Sequence, residues 1–184
     1  MFMAADDRTD LGRTQDAHYG RAVAVYGPAL ERLCRAYEAD ADRRLDLLQD
    51  IHFALWRSFA RFDGRCAEGT WIYRVAHNVA ATHVLKGRRA QKTVTLDELS
   101  GHGDPLQPDP EAQAGERHAL ARLTALVQTL AAPDRQVVLL YLEGVDAAAI
   151  GEICGLSPGA VATKLHRLKT VLAQRFNQGG SHAG

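Results

Sequence analysis

Cysteine is scarce in this 184-residue chain: Cys34, Cys66 and Cys154 are odd in number, far apart and never in C-x-x-C spacing. That argues against a disulfide framework or a structural zinc site, and it fits a reducing cytoplasm. Long apolar runs are missing as well, and nothing approaches the roughly 18 residues a membrane span needs. The opening MFMAADDRTD has no basic stretch followed by an apolar one, so no export signal is expected. Catalytic signatures are also lacking: there is no ExxH, HExxH, GxSxG or glycine-rich phosphate loop. His77 and His83 are six apart, and Asp50 and His52 two apart, so neither pair shares a helix face. The eight histidines form no ligand spacing. The expectation is a chain with no catalytic residues, no metal, no cofactor and no small-molecule substrate. Cys66, in a loop, could act as a redox sensor, but a lone exposed cysteine is usually incidental.

Net charge is zero, and its distribution says more than its sum. Residues 1–94 carry a balance of +3, residues 95–119 one of −5, and residues 120–184 one of +2. An acidic middle joining two mildly basic ends suits two modules and a linker. No segment alternates with period two for long enough to be a strand. Apolar spacing is helical almost throughout, and the predicted fold class is all-α with two small helical domains.

Leu30, Leu33, Cys34 and Tyr37 follow helical spacing after Pro28, which suits a first turn. Leu48, Ile51, Leu55, Phe59 and Phe62 form a second stripe, ended by Asp63-Gly64. Ile72, Val75, Ala76 and Val79 form a third, before the basic run Lys86–Arg89. Together they predict a helical domain over 18–91. Residues 92–112 lose periodicity: Gly101, Gly103, Pro105, Pro108 and Pro110 punctuate an acidic stretch read as an extended, mobile linker. A second domain over 113–177 follows. Its helices carry Leu120, Leu123, Val127 and Leu130, then Val137, Val138, Leu140 and Tyr141. A short helix, Asp146–Cys154, is closed by Gly155. Ser157-Pro158 then opens a last helix that buries Val161, Leu165, Leu168, Leu172 and Phe176.

Asp146–Lys169 has the build of a helix-turn-helix. Its second helix sets Gly159, Ala160, Thr163, Lys164 and Arg167 along one face, with His166 just off it. Small residues at the N-terminal end let such a helix enter a major groove, and the two cations can reach phosphates or guanine edges. The plainer alternative is a helical hairpin with solvated charges. On the second helix Asp46, Gln49, Asp50, Phe53 and Arg57 face away from the apolar stripe. Two acids, an amide and a phenylalanine together suit protein docking. On the third, Arg74, Asn78 and Thr82 line up near Trp71 and Tyr73, a set suited to an unstacked nucleic-acid strand. Trp71 is more often core than a stacking platform.

These segments in this order resemble a bacterial RNA polymerase sigma factor of the extracytoplasmic-function (ECF) group, within the sigma-70 family. The first likeness runs through Asp46–Asp50 with Phe53 and Trp56, then Arg61–Arg65, then Thr70–Asn78. It is similar to the family's region 2. The second spans Leu130–Lys169 and is similar to region 4. The resemblance implies that Asp46, Leu47, Gln49, Asp50 and Phe53 face the polymerase β′ clamp. It implies that Asp63, Gly64 and Arg65, in the loop 63–69, serve a flipped base of the −10 element. Arg74 and Asn78 would contact DNA at that element's upstream edge. Ser157, Thr163, Lys164, His166, Arg167 and Lys169 would face the −35 element. Implied partners are core RNA polymerase (β′ clamp and β flap), promoter DNA and an anti-sigma factor, often membrane-bound in this group. Three positions depart from the family's usual pattern and bear on promoter choice: Ala148-Ala149 stand where an acidic pair is common, the recognition helix has little arginine, and Cys66–Gly69 replaces a small residue and an aromatic. So few cations imply weak DNA affinity for the chain alone. The competing reading is a stand-alone helix-turn-helix regulator binding operators as a dimer, which leaves the Asp46–Trp56 face without a purpose.

Overall fold

The computed structural model describes residues 6–93 and 113–178, and all regular structure there is α-helical. Seven helices follow in order: α1 (Asp6–Tyr37), α2 (Ala41–Phe59), α3 (Glu68–Thr93), α4 (Gln113–Gln128), α5 (Ala132–Leu142), α6 (Ala147–Cys154) and α7 (Pro158–Gln178). The segment expected to be a linker falls almost wholly outside the described residues.

The helices begin and end where local chemistry supplies backbone partners. Asp40 caps α2 by accepting from the Arg43 amide at 2.9 Å. Asp146 caps α6 by accepting from the amides of Ala148 and Ala149, both at 2.9 Å. Gly155 ends α6 at φ 70°, a left-handed conformation that glycine adopts without a Cβ clash. Ser157 then accepts from the Ala160 amide at 3.2 Å and starts α7, as expected. One boundary differs from the sequence reading. Pro28 lies inside α1 and does not open it, because the buried stripe continues upstream through Tyr26, Ala22 and Tyr19. That packing outweighs the one backbone bond proline forfeits. α3 runs on through the basic segment to Thr93.

α1, α2 and α3 form a bundle around Leu30, Leu33 and Cys34 of α1, Leu47, Ile51 and Leu55 of α2, and Ile72, Ala76 and Ala80 of α3. Each fully buried leucine or isoleucine contributes about 1.5–3 kcal/mol. The α2 stripe starts at Leu47, which is wholly buried, while Leu48 is half-buried. α4–α7 make the second domain, with α6 and α7 in helix-turn-helix arrangement.

The two domains pack against each other. Val127, Leu130, Val138, Leu139, Leu168 and Leu172 join the core of α1–α3. Ala29 and Tyr73 in turn enter the core formed by Val137, Leu140, Ile150, Ile153, Val161 and Leu165. Polar pairs frame this seam. Arg32 donates twice to Glu143, from Nε at 2.7 Å and Nη2 at 2.6 Å. Gln128 Nε2 donates to the Arg35 carbonyl at 2.7 Å. Arg135, buried in α5, sets its guanidinium 5.0 Å from the Tyr37 ring and donates to the Leu130 carbonyl at 3.0 Å.

Candidate protein and nucleic-acid interfaces

On α2, Asp46, Gln49, Asp50, Phe53 and Arg57 are all exposed, and Phe53 is 60% accessible with the Arg57 guanidinium 5.6 Å from its ring centre. A phenylalanine this open on an otherwise well-packed helix is what a docking surface requires. Leu45 and Trp56 extend the apolar part of this face; the sequence reading missed Leu45. Trp56 is steadied by α1, its indole donating to Asp16 at 2.8 Å. Leu47 is a correction. It was expected on the docking surface, but it has no exposure and belongs to the bundle core, because a one-residue step along a helix turns a side chain by about 100°.

The loop between α2 and α3 is pinned at both ends. Phe62 packs on Trp71 with ring centres 5.5 Å apart, and the Trp71 indole donates to Ser58 Oγ at 2.9 Å. Trp71 is thus a packing residue. Between these anchors the chain turns at Gly64, φ 73°. Asp63 accepts from the Arg65 amide at 3.2 Å and pairs with its Nε at 2.7 Å, leaving the Arg65 side chain largely in solvent. Asn78 is exposed and shares a surface depression with Asp50, Thr82, His83 and Lys86, so the polar faces of α2 and α3 adjoin. Arg74 points elsewhere. It donates to Glu152 of α6 at 3.0 Å, so the structure ties this residue to the other domain.

On α7, Gly159, Ala160, Thr163, Lys164 and Arg167 line one open depression, the face predicted from spacing. Ser157 holds its oxygen on the helix start, and His166 is exposed at the edge. Lys169 is set apart: it leans across to α5, its ammonium 3.9 Å from the Tyr141 ring centre and 2.8 Å from the Tyr141 hydroxyl. Lys164 and Arg167 both approach Asp134 of α5, a carboxylate that spacing gave no reason to single out. Tyr141, which the sequence reading counted in the apolar spacing of its helix, is exposed, as is Leu142. They border an apolar cavity of about 180 Å³ lined by Leu123, Leu165 and Leu172. Behind these surfaces, burial pushes the His77 imidazole down to about 3, and the Tyr37 hydroxyl lies 3.1 Å from its Nδ1. Among the described residues no group of three or more metal-binding side chains converges, and no helix is long and apolar enough to cross a membrane.

An exposed, partly apolar α2 face, a polar α3 surface beside it and a helix-turn-helix suit a promoter-directed subunit of a larger machine. Comparison with known proteins gives the family. Sigma-70 region 2 matches residues 22–90 and Sigma-70, region 4 matches residues 120–172, together about two thirds of the chain. The RNA polymerase sigma factor CnrH of Cupriavidus metallidurans is 27% identical over 165 residues, 84% of each chain. The ECF RNA polymerase sigma factor SigC of Mycobacterium tuberculosis is 26% identical over 180 residues, 92% of each. Two solved structures share the fold. CnrH in complex with the cytosolic domain of CnrY has a TM-score of 0.65 at 20% identity, covering 92% of this chain and 94% of that one. The sigma factor RpoE of Bartonella quintana with the anti-sigma factor NepR has 0.64 at 20%, covering 87% and 96%. The chain belongs to the sigma-70 family of RNA polymerase sigma factors, in its extracytoplasmic-function group. Its role is to bind core RNA polymerase and direct it to promoters. The stand-alone regulator gains no support, since the first domain is itself a region 2.

Proposed function

We propose that the α2 face of Asp46, Gln49, Asp50 and Phe53, enlarged by Leu45, docks on the polymerase β′ clamp, and that Leu47 supports it from the core. The observation that carries this is Phe53, open to solvent between acids on a helix whose opposite side is fully packed. Asp63, Gly64 and Arg65 form a small preorganised turn beside it, suited to receiving a flipped base, whose unstacking costs a few kcal/mol. Asn78 and Arg74 serve the upstream edge of the −10 element, and Arg74 does so once it exchanges Glu152 for DNA. Thr163, Lys164 and Arg167, with Ser157 and His166 at the rim, face the −35 element. Lys169 instead borders the apolar cavity beside Tyr141 and Leu142, which suits the β flap.

In this reading the chain performs no catalysis of its own and works in the cytoplasm as two domains, 18–91 and 113–177, joined by an acidic linker. The CnrH and RpoE structures contain CnrY and NepR, and we assign this chain an anti-sigma partner of its own. The test is reconstitution with core polymerase on a promoter fragment. Arg74→Ala and Asn78→Ala should lower strand opening, read by permanganate reactivity of unpaired thymines, without loss of core binding. Unchanged opening in both variants would remove the −10 assignment.

A further inference from the structure

We propose that Asp134 is a positioning residue for promoter reading that holds Lys164 back and so limits how strongly the recognition helix grips the DNA backbone. The inference rests on the −35 assignment of α7. Asp134 stands in the first turn of α5, outside the helix-turn-helix, yet its Oδ1 takes the Lys164 ammonium in a tight ion pair. Its Oδ2 lies 4.0 Å from Nη2 of Arg167. Asp134 and Lys164 are each 24% exposed, while Arg167 is 68% exposed.

Lys164 and Arg167 are the two full cations in the depression that would meet the major groove. One carboxylate therefore holds the first and draws on the second. A free lysine is a mobile point charge that pairs with any phosphate, so it adds affinity and no sequence information. Pairing it with Asp134 removes that contribution and leaves Arg167, with its planar fork, as the main cationic contact for a base edge. The carboxylate at the groove also repels phosphates that come close. Release of Lys164 to a phosphate adds about 0.9 to the slope of log affinity against log salt, or roughly a further threefold loss of binding between 50 and 200 mM salt.

The experiment uses holoenzyme reconstituted with core polymerase and a duplex library randomised over the −35 element. Wild type should enrich a sequence; if it enriches none, the −35 assignment itself fails. With the enriched and a scrambled duplex, Asp134→Asn should bind both more tightly, by a similar factor, and show the steeper salt slope. Asp134→Glu should restore wild-type behaviour, and adding Lys164→Ala should abolish the effect of Asp134→Asn. An unchanged slope overturns the proposal while leaving the −35 reading intact. So does weaker binding that tracks a lower melting temperature, which would make Asp134 a staple between α5 and α7 only.

Discussion

Arg74 of α3 and Glu152 of α6 lie 3.0 Å apart across the seam between the domains, 78 residues apart in sequence. An arginine assigned to the −10 element is thereby held by the helix-turn-helix domain. Beside the pair, Tyr73 is buried in that domain's core, where burial pushes its hydroxyl up to about 12.

The apolar contacts of this seam should outweigh its ion pairs. Arg74 and Glu152 are both well exposed, so their pair is worth about 0–1 kcal/mol. Losing a buried aromatic costs about 3–5 kcal/mol. Glu152→Ala should leave the radius of gyration of the isolated protein nearly unchanged in small-angle scattering. Tyr73→Ala should increase it while helicity by circular dichroism persists. Equal compactness of the two variants would mean that the seam does not depend on Tyr73.

Leu47 and Phe53 should separate stability from docking. Leu47→Ala empties a fully buried site and should cost about 2–5 kcal/mol in chemical unfolding. Phe53→Ala alters a mostly exposed ring and should change stability by no more than about 0.5 kcal/mol, while weakening core-polymerase binding.

Gly151 should tolerate no side chain. A Cβ there would meet the Leu156 carbonyl oxygen at 2.5 Å, and that backbone forms the turn of the helix-turn-helix. Gly151→Ala should cost about 1–3 kcal/mol and misplace α7. Thermal melting and −35 binding by holoenzyme should both fall.

His77 should make the fold acid-sensitive. Its folded value of about 3 lies below the ordinary histidine value, so the unfolded chain binds the extra proton. Its contribution is full above about pH 6.5 and declines below it, by up to about 1.4 kcal/mol per unit, until the folded value is reached. His77→Gln should flatten the stability curve between pH 4 and 6; an unchanged slope would assign the acid sensitivity to other groups.

The parts of this molecule that were legible in its sequence are those built by local chemistry. Asp146, Gly155 and Ser157-Pro158 each satisfy a helix end within a few residues, so the helix-turn-helix and the five-residue face of α7 could be read from spacing. Leu47 could not be placed, because Leu47 and Leu48 sit four and three residues before Ile51 and both fit a helical stripe. Only the packing of α1 and α3 selects between them. The pairings of Arg74 with Glu152 and of Lys164 with Asp134 join separate helices, and no periodicity reports them. Pro28 misled for the same reason: the tertiary contacts of Tyr19, Ala22 and Tyr26 override a local preference.

The most direct test of the sigma-factor role is co-elution with core RNA polymerase in size-exclusion chromatography, with an Asp50→Arg, Phe53→Ala variant run alongside. Wild type should co-elute with core, and the folded variant should elute alone. A wild-type chain that stays apart from core polymerase, and binds duplex DNA as a dimer instead, would contradict both the role and the docking face.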